Sequence, residues 1–279
     1  MKKDKKYVDN EELEIDLVLD ALLKKSDFDY RNYSRSHIKR RLSHRLTISG
    51  YSRFSELIPE LIYNPDFVRQ LLLDLSINVT EMFRDPDFFI TFKKLVFPYL
   101  RTYPFLKLWH AGCSSGQEVY SMSILLKEAN LYDNSQIYAT DFNVDILEKA
   151  KEARYPMENI KSYTKSYQEA DGRFSFSNYY TSDSDSAVLS NDLKKNILFS
   201  FHNLVTDGAF GEMNVIFCRN VLIYFDKKLQ NKVLHLFYDS LVPGGFLCLG
   251  SKESIRYSGV DNLFEVVSRD WRIYRKKVN

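Results

Sequence analysis

Hydrophobic periodicity changes once along this chain, near residue 105, and that change limits the fold more than any other feature. Before it, apolar residues recur at helical spacing: Leu13, Leu17, Leu19, Leu22 and Leu23, then Ile38, Leu42, Leu46 and Ile48. Further helices begin near Ser52 and near Asp66, just after Pro65, and no strand-like run occurs. After residue 105, short apolar runs alternate with helical stretches. LKLWHAG, QIYATD, ILFSFHN, NVIFCRN and FLCLG read as strands. Val119 to Ala129, Val144 to Ala153 and Asp226 to Leu241 read as helices, Pro243-Gly244-Gly245 as the turn before the last parallel strand, and LFEVV with WRIYRK as a terminal hairpin. Alternation of this kind predicts a doubly wound, mostly parallel sheet. The chain therefore reads as an α/β protein: a small helical domain at 1–77, then a sheet domain at 78–279. Residues 160–196, rich in Ser, Tyr, Asn and Asp, interrupt the alternation and read as a small inserted β-subdomain, either a meander or a mobile loop.

Composition excludes several classes of protein. The formal net charge of the 279 residues is +2, which gives no global attraction to nucleic acid or to a membrane surface. Cys113, Cys218 and Cys248 are isolated, without metal-ligand spacing, so no metal is expected and the thiols read as reduced and structural. No stretch approaches the roughly 20 apolar residues of a membrane span. The charged N-terminus, MKKDKKYVDNEELEID, lacks an apolar signal core. The expectation is a soluble, cytoplasmic monomer.

Four segments carry chemistry. Ala111-Gly112-Cys113-Ser114-Ser115-Gly116-Gln117-Glu118 follows a strand and opens a helix, where small residues admit a ligand and free N–H groups face it. The same pattern also suits an ordinary strand-to-helix turn. Asp141 ends the next strand, where an acid can accept both ribose hydroxyls; a helix cap is the alternative, and the paired loop disfavours it. The third glycine of a dinucleotide fingerprint is absent, because position 117 is Gln, and this favours an adenosyl ligand without a pyrophosphate. Arg219, Asn220 and Tyr224 follow the buried run Val215-Ile216-Phe217 at a strand end, and Tyr224 alternatively packs on the next helix. Asn78, Thr80 and Arg84 lie in the interdomain segment NVTEMFR, in which Asn78 or Thr80 also serves as a helix cap.

Taken together, NVTEMFR, GCSSGQEVYS, YATDFNVDILEKAK, FCRNVLIYFDK and LVPGGFLCLGSKES resemble the CheR-type chemotaxis receptor methyltransferases, in the family's order and over essentially the whole chain. The resemblance implies a Rossmann-like methyltransferase sheet and S-adenosyl-L-methionine as cofactor, with S-adenosyl-L-homocysteine as product. It implies methyl transfer to glutamate side chains in the cytoplasmic helical region of a chemoreceptor. It assigns Asn78, Thr80, Arg84, Glu118, Asp141, Asn203, Leu204, Arg219 and Asn220 to the cofactor, beside Gly112 of the loop, and Arg84 and Tyr224 to catalysis. The family loop usually reads Gly-Glu-Glu-Pro, whereas here it is Gly116-Gln117-Glu118-Val119.

The segment from Arg31 to Arg53 holds Arg31, Arg35, Lys39, Arg40, Arg41, Arg45 and Arg53 and no acidic residue. It reads as a basic amphipathic helix suited to an acidic surface, with Lys39, Arg40, Arg41 and Arg45 as docking residues. Two other readings stand beside the main one: a related methyltransferase acting on a protein outside chemotaxis, and a non-catalytic cofactor-binding signalling domain. A nucleic-acid enzyme is disfavoured, because the Asn-Pro-Pro-Tyr type of motif is missing. Some family members tether their receptor through a Gly-containing loop of the inserted subdomain. Phe174 to Lys195 contains no glycine, so a tether-independent protein is expected.

Overall fold

The computed structural model describes residues 9–26, 28–76 and 80–278. They fall into two compact units: Met1–Ile77 with Tyr224–Leu229, and Asn78–Ile223 with Gln230–Asn279.

The first unit is built on helices α1 (Asn10–Ser26), α2 (Arg35–Ser49), α3 (Leu57–Tyr63) and α4 (Pro65–Leu75). Local sequence sets their ends. The Asn64 side chain accepts the Phe67 N–H to cap α4, with Pro65 at the first helical position. Gly50, at φ +71°, closes α2 in the left-handed conformation. The core stripe of α1 is Ile15, Val18, Leu19 and Leu22, at i, i+3, i+4 and i+7. Leu13 and Leu17, spaced like core residues in the sequence, lie on the exposed side instead.

Tyr224–Leu229 is distant in sequence but belongs to this unit. Phe225 forms an antiparallel bridge with Tyr33. The Ser34 N–H donates to the Tyr224 carbonyl at 2.7 Å, and the Asp226 N–H donates to the Asn32 carbonyl at 2.8 Å.

The second unit contains helices α5 (Pro86–Leu95), α6 (Phe97–Leu100), α7 (Gln117–Glu128), α8 (Val144–Glu152) and α9 (Met157–Glu169) and most of α10 (Lys227–Ser240). Its strands are β1 (Leu106–Ala111), β2 (Ser135–Asp141), β3 (Arg154–Pro156), β4 (Tyr180–Ser182), β5 (Ser186–Leu189), β6 (Ile197–Phe201), β7 (Met213–Cys218), β8 (Leu241–Leu249), β9 (Phe264–Ser268) and β10 (Ile273–Lys276). Seven of them form one sheet in the order β6-β2-β1-β7-β8-β10-β9. The pairs from β6 to β8 are parallel, and β10 runs antiparallel to β8 and to β9. β7 is buried along its whole length, as a central parallel strand must be. Strand order reverses between β1 and β7, and the crevice beyond their carboxyl ends is where this architecture takes ligands.

The sheet domain is the doubly wound, mostly parallel one that the alternation predicts. Two local features differ. Pro243-Gly244-Gly245 does not form a separate turn but lies within β8, where Gly244 sits at φ +78°. The inserted subdomain is a three-stranded antiparallel sheet, β3-β5-β4, which starts earlier than residue 160. Its first strand pairs Arg154 with Val188, and residues 160–169 belong to α9. Tyr163 and Tyr167 make that helix amphipathic, a pattern masked in the sequence by the Ser-rich run that follows.

Candidate active site

Four parallel strands end side by side, and each delivers residues to the same edge of the sheet. The loop after β1 folds back onto β2: the N–H groups of Gly112 and Cys113 both donate to the Thr140 carbonyl, at 2.8 and 2.9 Å. The next N–H, of Ser114, donates to Asp141 Oδ2 at 2.9 Å, while Oδ1 accepts the Asn143 N–H at 3.0 Å. The loop can turn this sharply because Gly112, Ser114 and Gly116 lie at φ +75°, +51° and +88°. A Cβ at Gly112 would meet Val221 Cγ2 at 2.6 Å. The small residue there is therefore required by the chain's own packing, whatever its part toward a ligand.

Burial pushes the Asp141 carboxyl above the ordinary carboxylate range, and its backbone hydrogen bonds offset this only in part. β6 ends beside it, and the His202 N–H donates to the Asp141 carbonyl at 3.2 Å. Asn203 follows, buried, with its side-chain oxygen accepting the Val205 N–H at 2.9 Å, and Leu204 is buried next to it.

Glu118, one residue into α7, faces the switch point. Its Oε1 lies 3.1 Å from His110 Nδ1, and its Oε2 accepts Arg219 Nη1 at 2.8 Å. Burial raises this carboxyl, but the Arg219 charge together with His110 outweighs burial and holds it below its ordinary value. The Arg219 side chain is 1% exposed and pairs a second time, Nη2 to Asp85 Oδ2, at 2.7 Å. Its guanidinium lies 4.0 Å from the centre of the Phe88 ring.

Asn220, at φ +63°, donates its N–H to Glu253 Oε2 at 3.0 Å. Glu253 also accepts the N–H groups of Ile223 and Gly250, at 3.2 and 2.6 Å. One buried carboxylate thus shapes the whole turn from Asn220 to Ile223.

The turn carrying Arg84 is braced on both sides. Phe83 and Asp85 are non-glycine residues at φ +53° and +58°. The Phe83 N–H donates to Ser121 Oγ at 2.9 Å. Among the described residues no hydrogen bond or ion pair engages the Arg84 guanidinium, and Arg84 is half-buried. Thr80 is also half-buried, and Asn78 lies outside the described residues. Tyr224 belongs to the helical unit, with its ring edge-on to His37 at 5.0 Å.

The edge of the sheet thus gathers Glu118, Asp141, Asn203, Leu204, Arg219 and Asn220 at the ends of neighbouring strands. His110, Asp85 and Glu253 are missed by sequence reasoning. His110 looks like any inward strand residue, and Glu253 is legible only as an acid stranded in a Gly/Ser turn after an apolar strand.

The basic stripe of α2 needs correction. Acids from other helices neutralise most of it: Arg35 pairs with Glu12 and Asp16, Lys39 with Glu11, and Arg45 with Asp74 at 2.5 Å. Arg45 is 8% exposed and holds α2 to α4, so it is not a docking residue. Arg40 is exposed and Arg41 half-buried.

The donor set suits a ligand that carries hydroxyls and a cationic group. Glu118 and Asp141 are acceptors, and Ser114 Oγ is buried without a partner among the described residues. Such an edge suits an adenosyl ligand, and comparison with known families makes the protein an α/β methyltransferase. Residues 78–273 match the family described as "CheR methyltransferase, SAM binding domain", and residues 13–76 match "CheR methyltransferase, all-alpha domain". The chain belongs to the CheR methyltransferase family and is an S-adenosylmethionine-dependent methyltransferase. It is 45% identical to "Putative methyltransferase Cher3" of Pseudomonas putida, over 96% of this chain and 98% of that protein. It is 29% identical to the chemotaxis protein methyltransferase of Borreliella burgdorferi, over 88% of this chain and 91% of that one. It is 27% identical to chemotaxis protein methyltransferase 2 of Vibrio cholerae, over 88% and 86%. Among the described residues no helix is long and apolar enough to cross a membrane.

Proposed function

We propose that the chain esterifies glutamate side chains of a chemoreceptor's cytoplasmic helical region, as a protein-glutamate O-methyltransferase. The observation that carries this reading is the Arg84 turn. It offers a guanidinium with no partner among the described residues, on a backbone braced by Phe83 and Asp85, next to the ion pair that joins Asp85 to Arg219 and Glu118. A guanidinium fork matches a carboxylate. The names of the Borreliella and Vibrio relatives add support from chemotaxis.

S-adenosylmethionine supplies an electrophilic methyl group on a sulfonium. The acceptor glutamate needs no general base, because its reference pKa of about 4.3 leaves it ionised at neutral pH. One carboxylate oxygen forms the new C–O bond as the S–CH3 bond breaks, and no proton moves. The chain's task is then to bind and align. Asp141 accepts ribose hydroxyls, and Glu118, held ionised by Arg219, faces the cofactor's cationic end. Asn78, Thr80, Gly112, Asn203, Leu204 and Asn220 complete the cofactor contacts in this reading. Arg84 and Tyr224 orient the acceptor carboxylate, and Lys39, Arg40 and Arg41 meet the acidic receptor surface. The gain is one of proximity and fixed electrostatics.

The test is methyl transfer from labelled S-adenosylmethionine to membranes that carry the organism's receptors. Base-labile label on receptor is the expected result, and label that is absent or stable to base rejects the reading.

A further inference from the structure

Arg84 is flanked by two residues in a conformation that L side chains rarely adopt. A non-glycine residue at positive φ is strained and persists only where its surroundings over-determine it. For Phe83 the cause is plain: the ring is fully buried against Phe89, Tyr167 and Phe176, and the N–H is held by Ser121 Oγ. For Asp85 the cause is Arg219. The carboxylate takes Nη2 at 2.7 Å, and the same nitrogen lies 3.5 Å from the Arg84 carbonyl. The other arm of the guanidinium holds Glu118 at 2.8 Å, and His110 holds the second oxygen of Glu118 at 3.1 Å. Phe88, one turn into α5, closes the face of the guanidinium, and its N–H donates to the Asp85 carbonyl at 2.8 Å. A continuous chain of polar contacts therefore runs His110–Glu118–Arg219–Asp85, and its last member sets the backbone of Arg84.

We propose that Asp85 is a positioning residue for methyl transfer: acting through Arg219, it ties the Arg84 turn to Glu118, so that filling the cofactor site tightens the turn that presents Arg84. This rests on the reading above for the roles of Glu118 and Arg84. The buried guanidinium has two anionic partners, and any shift of Glu118 toward a ligand is felt at Asp85 because both share that one group. Without Asp85, Arg219 still pairs with Glu118, so cofactor binding survives. The Arg84 turn, however, loses the contact that holds one of its two strained residues.

Asp85→Asn isolates the charge. Asparagine has the same shape and is among the non-glycine residues that best tolerate positive φ, so the turn remains accessible. The expected result is a kcat lower on the order of tenfold to a hundredfold, the scale of a misplaced catalytic group. The dissociation constant for S-adenosylhomocysteine should stay within about threefold of the wild type, a split that a merely structural lesion does not give. The decisive readout needs no acceptor. In the wild type, S-adenosylhomocysteine slows amide exchange over residues 82–88, and in Asp85→Asn it binds without doing so. A variant whose exchange still responds to the ligand as the wild type does overturns the proposal, whatever its kcat; so does an unchanged kcat. If Asp85→Asn fails to fold, Asp85→Gly, which removes the charge and is free at positive φ, gives the same comparison. A wrong acceptor in the reading above would leave the exchange result intact.

Discussion

Asp141 and Ser114 stand at the ends of different strands, yet the carboxylate of one accepts the backbone N–H of the other at 2.9 Å. The acid thus helps to build the loop after β1, and in the proposed function it also holds the cofactor. Asp141→Asn should weaken S-adenosylhomocysteine binding about tenfold or more, since a hydrogen bond to a charged acceptor contributes roughly 1.5–3 kcal/mol. Burial raises this carboxyl above its ordinary 3.8, so the folded chain holds the proton more tightly than the unfolded chain. Ionised Asp141 therefore costs the free protein stability as pH rises through that raised value. Ligand affinity, which needs the ionised form, falls as pH drops through the same window. Calorimetry from neutral to acid pH should find this component in the wild type and not in the variant; identical profiles would remove Asp141 from the site.

Arg84→Ala should lower kcat on the order of a hundredfold to a thousandfold, as expected for loss of a fixed charged donor. Its thermal stability should change little, because no described residue pairs with that guanidinium. Turnover near the wild-type rate would reject the catalytic assignment.

The corrected basic helix separates two kinds of arginine. Arg45→Ala leaves Asp74 without its partner in a largely buried place and should cost about 3 kcal/mol, read by chemical denaturation of the helical unit. Reversing Arg40 and Arg41 to Glu should raise the KM for receptor while Tm and cofactor affinity hold. If the double reversal unfolds the unit, or leaves the KM unchanged, these two residues do not dock the receptor.

The inserted sheet yields a negative expectation. The β4–β5 turn contains no glycine, and Asp183 closes it: its carboxylate accepts the N–H groups of Asp185 and Ser186, at 3.2 and 2.8 Å, and pairs with Arg154. Arg154 holds that carboxyl far below the ordinary range, so the closure persists at any physiological pH. A turn already filled by its own side chains offers little to an incoming strand. Receptor C-terminal peptides should show no micromolar binding in calorimetric titration, and a fitted site that maps to residues 163–195 would refute this.

The parallel sheet was legible because its signals are local. An apolar run such as Val215-Ile216-Phe217 can hardly be anything but a central strand, and the Gly112–Gly116 loop announces a strand-to-helix turn. Asp141 was legible from its place after such a run. What stayed hidden depends on partners far away in sequence. Arg45 looks like a surface cation until α4 brings Asp74 to it. Asp85 carries no signal in the sequence, and its partner Arg219 lies 134 residues away. Leu13 and Leu17 fit helical spacing as well as Ile15 and Leu22 do, and only the packing of α1 selects one phase.

The segment Tyr224–Leu229 sets a limit on how this protein can be recombined. The helical unit resembles a detachable N-terminal module that an exchange at residue 77 would transplant. The chain, however, passes through that unit twice. Asn32, Tyr33 and Ser34 hold the backbone of Tyr224 to Asp226, so a new module that lacks their counterparts would leave that stretch unsupported. Exchange of the helical unit therefore requires joint replacement of both stretches, and not simple transplantation of the first 77 residues.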